Sequence, residues 1–302
     1  MTEVRNDVDS LLLRDELEAY DQRLYEIKYP ELKARQLIPT LDSSSNLQQS
    51  STHYYYQMAD GVGEAQPVHA RSTYAPQSDV TVSEFSQRIQ KYGADFSFSL
   101  DEINAIRSGQ MGDIALMRQN TARKAIERKF DEIIALGDSA NGLSGVLNHS
   151  SVSASSASNG SWTASSTEDD VLADIESAIS AVSTATSEVY QTNLVMLPPS
   201  AMRALKANRI GNTAVSLLEY VRNTFPEVSF QEWNRLETAG ASSSKRMVAM
   251  HRDPEVLGAI VTQEFTKLDP VWKGRFWEVA CEARCGGVVI RQPKALVYRD
   301  GL

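Results

Sequence analysis

The stretch Gly137-Asp-Ser-Ala-Asn-Gly-Leu-Ser-Gly-Val-Leu-Asn148 stands immediately after a long, charged, amphipathic segment, roughly Gly112 to Leu136. Apolar residues recur in that segment at helical spacing, so we predict one long helix. Gly137 suits the left-handed conformation in which many helices end. The chain later closes on two apolar runs, Val279–Cys285 and Gly287–Tyr298, which predict a terminal pair of strands.

One face of the predicted long helix is apolar, and its other faces are charged. The apolar stripe consists of Ala122, Ile126, Phe130 and Ile133. The basic residues on the remaining faces make this helix locally basic in an acidic protein: Arg118, Arg123, Lys124, Arg128 and Lys129. Charged residues on an exposed helix face are most often solvated surface, which is the first interpretation of this set.

Composition limits the classes of function. With 302 residues, 42% of them hydrophobic, the chain can form one large domain or two modest ones. A net charge of -9 argues against binding nucleic acid through a strongly basic surface, but not against enclosing it. No apolar run reaches the roughly 18 residues of a membrane-spanning helix, and the acidic start is unlike a signal peptide. The two cysteines, Cys281 and Cys285, fit a reducing compartment.

Residues 1–48 have the pattern of an arm. Five apolar residues at helical spacing form a stripe on one face: Leu13, Leu17, Tyr20, Leu24 and Ile27. One interpretation is an ordinary N-terminal helix packed on the chain's own core. The other is an arm that lays this stripe on a neighbouring subunit, because so short a stripe on a polar tether needs a partner surface. After Pro30, the run Arg35–Pro39 predicts extended chain.

Residues 53–100 are predicted to be rich in strands. His53–Met58 is aromatic-rich, and Phe96–Leu100 alternates between apolar and polar residues. A second alternating run, Asp79–Phe85, lies between them among glycines and prolines. Two strands that enclose so long a polar stretch predict a hairpin that reaches away from the body. Ser99-Leu-Asp-Glu102 fits a capping box at the start of a short helix.

The second half of the chain predicts an α/β lobe. Residues 150–166 are serine-rich, which predicts a flexible surface loop. Thr167 and three acidic residues after it predict a helix start, and helices and strands such as Leu194–Leu197 alternate to about residue 265. The chain is then expected to return to the first lobe through Trp272, Phe276 and Trp277.

No group of residues has the pattern of an active site. Ser144 lies in Gly-Leu-Ser-Gly, which lacks the spacing of a nucleophile elbow and follows a predicted helix. Cys281 and Cys285 have no nearby histidine, so buried structural cysteines are favoured over a zinc site. The histidines share no metal-binding spacing: His53, His69, His149 and His251. Phosphate-binding and dinucleotide motifs are also missing, so we predict no catalytic residues, no cofactor and no metal.

Four motifs, in this order, resemble those of tailed-phage major capsid proteins of the Hong Kong 97-type fold, which encapsulin shells share. They are the arm Tyr29–Pro39, the turn Gly137–Asn148, the strand and double proline Leu194–Pro199, and the terminal Gly286–Leu302. The likeness covers nearly the whole chain, and the order and spacing of the motifs carry it. The resemblance implies an α+β fold with an N-arm, an E-loop hairpin, a P-domain with a long spine helix, and an α/β A-domain.

The resemblance also implies a division of the chain into five segments. Residues 1–48 would be the N-arm, 49–100 the P-domain strands with the E-loop at about 62–92, 101–149 the P-domain spine helix, 150–270 the A-domain, and 271–302 the return strands of the P-domain. Some members of the fold link subunits through a lysine of the E-loop and an asparagine of a neighbour. Residues 62–90 contain no lysine, so non-covalent contacts are expected here.

The implied function is that of a major capsid protein of the virion. It would self-assemble in the host cytoplasm into hexamers and pentamers of an icosahedral shell around double-stranded DNA. Scaffolding, portal and decoration proteins would be further partners, and no membrane would be involved. The basic residues of the long helix would then face the lumen and hold DNA without sequence specificity, which is the second interpretation of that set.

Two alternatives stay open at this point. An encapsulin-like nanocompartment would enclose a protein cargo in place of DNA, and its particles would contain an enzyme and no nucleic acid. An uncharacterised hydrolase would use Ser144 or the thiolate of Cys281, and an alanine at that position would abolish its turnover.

Overall fold

The predicted long helix is continuous in a computed structural model that describes residues 31–41, 48–65, 77–107, 114–158, 160, 162, 167–211 and 213–302. The helices are α1 (Ala34–Leu37), α2 (Leu100–Arg107), α3 (Ile114–Leu136), α4 (Glu168–Ala185), α5 (Pro199–Ala207) and α6 (Leu217–Thr224). The long helix is α3, and its described part begins two residues after the predicted start.

The strands lie between and after these helices. They are β1 (Thr40–Leu41), β2 (His53–Val62), β3 (Asp79–Arg88), β4 (Gln90–Gly93), β5 (Phe96–Ser99), β6 (Gly137–Asp138), β7 (Leu143–Ser144), β8 (Ser153–Ser156), β9 (Leu194–Leu197), β10 (Ser229–Glu232), β11 (Arg246–Met250), β12 (Leu257–Lys267), β13 (Val271–Trp272), β14 (Phe276–Val279), β15 (Cys281–Ile290) and β16 (Leu296–Asp300). The larger sheets have the orders β1-β12-β15-β4, β10-β9-β11-β16-β8 and β13-β14-β5.

Helix α3 packs its apolar stripe on β15. All four predicted stripe residues are buried, which confirms that prediction. They share a core cluster with Cys281, Ala283 and Cys285, which lie on one face of the strand because alternate residues share a face. The helix ends at Leu136, and Gly137 has the predicted left-handed backbone, with φ of +80°.

The predicted terminal pair of strands is wrong. Strand β15 continues without a turn from Cys281 to Ile290, and β16 pairs with β11 and β8 in the five-stranded sheet. A bulge interrupts β15, because Ile260 pairs with Gly287 while the next residue, Val261, pairs with Cys285. Gly287 has φ of +74°. A bulge and a hairpin turn both favour glycine, so the sequence does not separate them.

The five-stranded sheet forms the core of the predicted α/β lobe. Alternate residues of β9, β11 and β16 contact either the cluster that includes α4, α5 and α6 or the cluster that includes the end of α3, so both faces are buried. Strand β12, from the predicted segment 150–270, lies in the four-stranded sheet, whereas β16, from 271–302, lies in the lobe. The lobe therefore combines parts that are distant in sequence.

The serine-rich segment contains a strand and a buried tryptophan, so the prediction of a flexible surface loop is wrong there. Strand β8 pairs with β16 in parallel through main-chain hydrogen bonds. Trp162 is buried, and its Nε1 donates to Asp174 at 3.1 Å. Exposed serines give no apolar periodicity, so the sequence carries no local signal for this strand.

The run Arg35–Pro39, predicted as extended, begins inside a helical turn. Residues Ala34–Leu37 form α1, and the N–H of Leu37 donates to the carbonyl of Lys33 at 3.0 Å. This turn buries Ala34 and Leu37 together, which an extended chain would direct to opposite sides. The chain is extended from Ile38, and β1 then pairs in parallel with β12.

The predicted long hairpin is present, but its strands differ from the prediction. Strands β2 and β3 pair along their whole length, from His53 opposite Arg88 to Val62 opposite Asp79. Strand β5, predicted to enclose the hairpin, pairs instead with β14. That pairing confirms the predicted return of the chain to the first lobe near Phe276.

Candidate assembly surfaces

Strands β2 and β3 carry an exposed apolar patch, which we call the hairpin stripe: Tyr55, Val80 and Val82. Directly opposed residues share a face of the hairpin, and Val82 lies opposite Ala59. Because side chains alternate between the two faces along each strand, Tyr55, Val80 and Val82 lie on the same face as Ala59. They are 61%, 59% and 57% exposed, respectively. The polar pair Gln57 and Glu84 lies between Tyr55 and Val82 on this face. Several exposed apolar residues on one face are typical of a surface that binds another molecule.

The opposite face of the hairpin contacts the body near its base. Tyr54 and Tyr56 pack against a buried apolar cluster made of Leu41, Ile89, Ile260 and Val289. Arg291 donates to the hydroxyl of Tyr54 at 2.9 Å and lies 5.8 Å from the ring centre of Tyr56. These contacts fix the base, whereas nine of the ten residues of β3 are exposed.

A second apolar surface lies where the three-stranded sheet meets α2 and the start of α3. It forms an apolar groove of about 540 Å³, lined by residues that include Phe96, Phe98, Ile103, Leu116, Trp277 and Val279. Trp272 and Phe276 lie nearby on β13 and β14 and are as exposed as Trp277, more than a third in each case. These aromatic residues, predicted as contacts with the first lobe, therefore also present apolar surface to the outside.

Arg118 joins α3 to β5 and α2 beside this groove. Its guanidinium pairs with Glu102, donates to the carbonyl of Ser97 and lies 5.0 Å from the ring centre of Phe98. The hydrogen bonds from Arg118 and from the N–H of Ser99 lower the pKa of Glu102 to about 2. The hydroxyl of Ser99 accepts from the N–H of Glu102 at 3.2 Å, which confirms the capping box.

Three of the other predicted basic residues contact a side chain or carbonyl about one turn away on α3: Arg123, Arg128 and Lys129. Arg123 Nε lies 2.7 Å from Glu127 Oε1, and Lys129 Nζ lies 3.2 Å from Glu132 Oε2. Arg128 Nε donates to the carbonyl of Lys124 at 3.3 Å. Arg118 thus contacts other elements, whereas Arg123, Arg128 and Lys129 contact groups within α3. The lumen-facing role of the five basic residues, Lys124 included, stays a prediction.

The predicted arm stripe lies outside the described residues: Leu13, Leu17, Tyr20, Leu24 and Ile27. Its contact with a neighbouring subunit therefore stays a prediction. The sequence predicts contacts of the hairpin with a neighbouring subunit, but it did not identify Tyr55, Val80 and Val82 as the residues of that surface. The alternation in Asp79–Phe85 was its signal, but alternation alone does not say which face is covered.

The residues considered as nucleophiles are not activated. Burial raises the pKa of the Cys281 thiol and raises that of Cys285 to about 11, which disfavours the nucleophilic thiolate. Ser144 lies in the short strand β7, paired with β6.

Across the described ranges, no three His, Cys, Asp or Glu residues converge as a metal site. In the same part of the chain, no helix has the length and apolar character needed to cross a membrane.

Comparison with known proteins identifies a family and a fold. The family model described as major capsid protein matches residues 63–302. Among curated proteins, none matches the chain. The capsid of Myoviridae phage XM1 has a similar structure, with a TM-score of 0.80 and 16% identity over 95% of this chain and 98% of that chain. A structure from Mycobacterium phage Bobi is also similar, with a TM-score of 0.66 and 15% identity over 97% of this chain and 98% of that chain.

A virus-like particle from Pyrococcus furiosus is also similar, with a TM-score of 0.57 and 13% identity over 88% of this chain and 91% of that chain. At these identities the structural matches show the fold, and they confirm the predicted α+β fold of the Hong Kong 97 type. The family match covers most of the chain, and the family is structural and not enzymatic, which excludes the hydrolase alternative. The protein is a component of a phage capsid and self-associates, because it belongs to the major capsid protein family.

Proposed function

We propose that the chain forms hexamers and pentamers of an icosahedral shell that encloses double-stranded DNA, through non-covalent contacts of the hairpin and the N-terminal arm. The observation that carries this proposal is the exposure of the hairpin stripe, Tyr55, Val80 and Val82, on a hairpin whose base packs on the body through Tyr54 and Tyr56. An isolated two-stranded hairpin is marginally stable in water. A neighbouring subunit that covers the stripe would stabilise the hairpin and the shell together.

Repetition makes such a contact sufficient for a closed shell. Burying one valine side chain stabilises a contact by about 1.5–3 kcal/mol. Each subunit of a symmetric particle makes the same contact, so modest interfaces add up around the shell. In this proposal the N-terminal arm, residues 1–48, adds a second contact of the same kind through its predicted apolar stripe.

The proposed contacts are non-covalent. The hairpin contains no lysine between residues 62 and 90. Lys91 lies in β4, after the hairpin, where its ammonium group pairs with Glu282 of the adjacent strand. That position is part of the four-stranded sheet and away from the stripe, so we assign Lys91 a structural role.

We further propose that the segments divide the work of assembly as in other shells of this fold. The lobe within residues 150–270 would surround the hexamer and pentamer axes. The spine helix α3 and the sheet around β15 would form the P-domain. The basic residues of α3, Arg123, Lys124, Arg128 and Lys129, would lie toward DNA that is held without sequence specificity. Assembly would take place in the host cytoplasm, with scaffolding, portal and decoration proteins as further partners.

Shortening the hairpin tests the contact. Asp60 and Thr81 lie opposite each other, so the segment Gly61–Val80 can be replaced by Asn-Gly, which favours a two-residue turn between paired strands. We expect this variant to give folded subunits that form no closed particles, in negative-stain electron microscopy and light scattering, whereas the unaltered chain forms shells. Normal particles from the shortened chain would contradict a contact made by the outer part of the hairpin, from Gly61 to Val80.

The contents of the particle test the enclosed DNA. Particles purified from infected cells and treated with nuclease should still release double-stranded DNA after disruption. Particles with a protein cargo and no nucleic acid would contradict this part of the proposal and favour the encapsulin-like alternative.

A further inference from the structure

The carboxylate of Asp131 joins three regions of the molecule. Its Oδ1 accepts from the N–H of Ala34 at 2.9 Å, and its Oδ2 accepts from Nε of Arg235 at 2.8 Å. Ala34 lies in α1, Asp131 in the spine helix α3, and Arg235 just after β10 in the lobe. Asp131 is 5% exposed, so these two donors replace most of the water that a carboxylate requires.

The N-terminal cap of helix α1 is the side chain of Asp131, which lies in another helix, α3. The first N–H groups of a helix have no acceptor within it, and a side chain of the preceding residue often supplies one. The preceding residue here is Lys33, which has a helical backbone and gives no side-chain cap. Asp131 supplies the acceptor to Ala34, the first residue of α1.

Further contacts hold the same stretch, which we call the arm root: Lys33–Leu41. They include the pairing of β1 with β12 and the contact of Lys33 with Glu232. Nη1 of Arg35 lies 3.0 Å from the carboxylate of Glu264 in β12. Nη2 of Arg252, which follows β11, donates to the carbonyl of Gln36 at 2.8 Å. The contacts of Arg35 and Arg252 are on the surface, whereas the bond from the N–H of Ala34 to Asp131 is buried, so Asp131 is the buried side-chain attachment of the arm root.

We propose that Asp131 is a positioning residue for assembly. By capping α1 while it is paired with Arg235, it fixes the place at which the chain leaves the body toward the N-terminal arm. The inference rests on the proposed function, because the position of the arm root matters to assembly if the residues before Lys33 contact a neighbouring subunit. The two oxygens of Asp131 have separate roles: Oδ1 holds the arm root, and Oδ2 pairs the spine with the lobe.

Three variants separate those roles. Asp131→Asn keeps an oxygen that can accept from Ala34 but removes the negative charge. Asp131→Leu removes both interactions. The exchange of Asp131→Arg with Arg235→Asp restores a pair of opposite charges between the spine and the lobe, but arginine has no acceptor for the N–H of Ala34. A purely structural ion pair would be rescued by the exchange, and a cap of the arm root would not.

Assembly per folded subunit is the first readout. We expect Asp131→Asn to assemble close to the unaltered chain, and both Asp131→Leu and the exchange variant to lose about tenfold of their assembled fraction, the size expected for one lost capping interaction. In isolated subunits, trypsin should cleave after Lys33 or Arg35 faster in these two variants. Full assembly of the exchange variant, or an arm root as protected in Asp131→Leu as in the unaltered chain, would overturn the proposal.

Amide hydrogen exchange of the unaltered chain provides a test that does not depend on whether the variants fold. The N–H of Ala34 should be as protected as the amides in the middle of α3. Exchange of that amide at the rate of an unstructured peptide would overturn the proposal. Failure of the unaltered chain to form shells would contradict the proposed function instead, and the exchange and proteolysis results would still decide whether Asp131 holds the arm root.

Discussion

The hairpin β2–β3 and the central strands of the lobe both contain apolar residues, and these residues lie in opposite environments. In β3, valines and a phenylalanine alternate with polar residues, and nine of its ten residues are exposed. In β9 and β11, every residue is buried. The comparison separates two roles of apolar residues, since those of the lobe stabilise the subunit and those of the hairpin are available to another molecule.

This division predicts that mutations will act on different measurements in the two regions. A change in the lobe removes contacts that the isolated subunit already makes, so it lowers the free energy of unfolding. A change in the hairpin stripe removes none of those contacts, so it acts on assembly.

Asp300→Ala should lower the free energy of unfolding of the isolated subunit by about 3–5 kcal/mol, the range for breaking a buried ion pair. Asp300 in β16 accepts from Nε and Nη2 of Arg246 in β11 at 2.6 and 2.7 Å, and both residues are buried. The variant leaves the guanidinium buried without its carboxylate. Denaturant unfolding followed by circular dichroism measures the change.

The matched control is an ion pair on the surface. Glu127→Ala breaks the pair with Arg123, in which both side chains are more than a third exposed. Its expected cost is about 0.3–0.5 kcal/mol. If Asp300→Ala and Glu127→Ala lowered the free energy of unfolding equally, the buried ion pair of the lobe would have no special stabilising role.

Ser99→Ala should lower the free energy of unfolding by about 1 kcal/mol, the usual cost of a lost helix cap. Ser99 caps α2 and follows Phe98, which lines the apolar groove. Ser97→Ala, two residues earlier on the same strand, is the control, because only the carbonyl of Ser97 is bonded to Arg118. A similar loss in both variants would show that the cap contributes nothing.

The same cap should respond to acid. Hydrogen bonds from Arg118 and from the N–H of Ser99 depress the pKa of Glu102 from 4.5 to about 2. A depressed carboxyl pKa contributes stability above the unfolded value, and that contribution is lost as the pH falls through the folded value. We therefore expect the denaturant concentration at the unfolding midpoint to decrease as the pH is lowered from about 4.5 to about 2. In Glu102→Gln this decrease with pH should be smaller. Identical slopes would contradict the assignment.

Local signals predicted the longer helices well, but they did not predict the short helix α1 or the pairings between distant residues. The stripe of α3 and the cap at Ser99 follow from the spacing of neighbouring residues. Strand β16 was predicted to pair with β15, because a glycine bulge and a glycine turn have the same local signature. Strand β8 was missed because its partner lies about 140 residues away and its serines show no apolar period.

The candidate site shows the same division. The alternation of β3 was visible in the sequence, but the exposure of its apolar face depends on what packs against it, and that is not local. The contact of Asp131 with Ala34 and Arg235 joins residues about 100 positions apart, and no motif marks it. Conversely, the order of short motifs along the chain was enough to predict the family.

Val82→Asp gives the sharpest contrast, with the smallest effect on the subunit and a large effect on the shell. Val82 is 57% exposed, so we expect the free energy of unfolding to change by about 0.5 kcal/mol or less. The stripe face would instead carry a charge into the proposed contact, and assembly should fail under conditions in which the unaltered chain forms shells. Ser83→Asp is the matched control, because it places the same charge one residue further along, on the opposite face of the hairpin. If both variants impaired assembly equally, the cause would be charge on the hairpin as a whole, and the stripe would lose its special role.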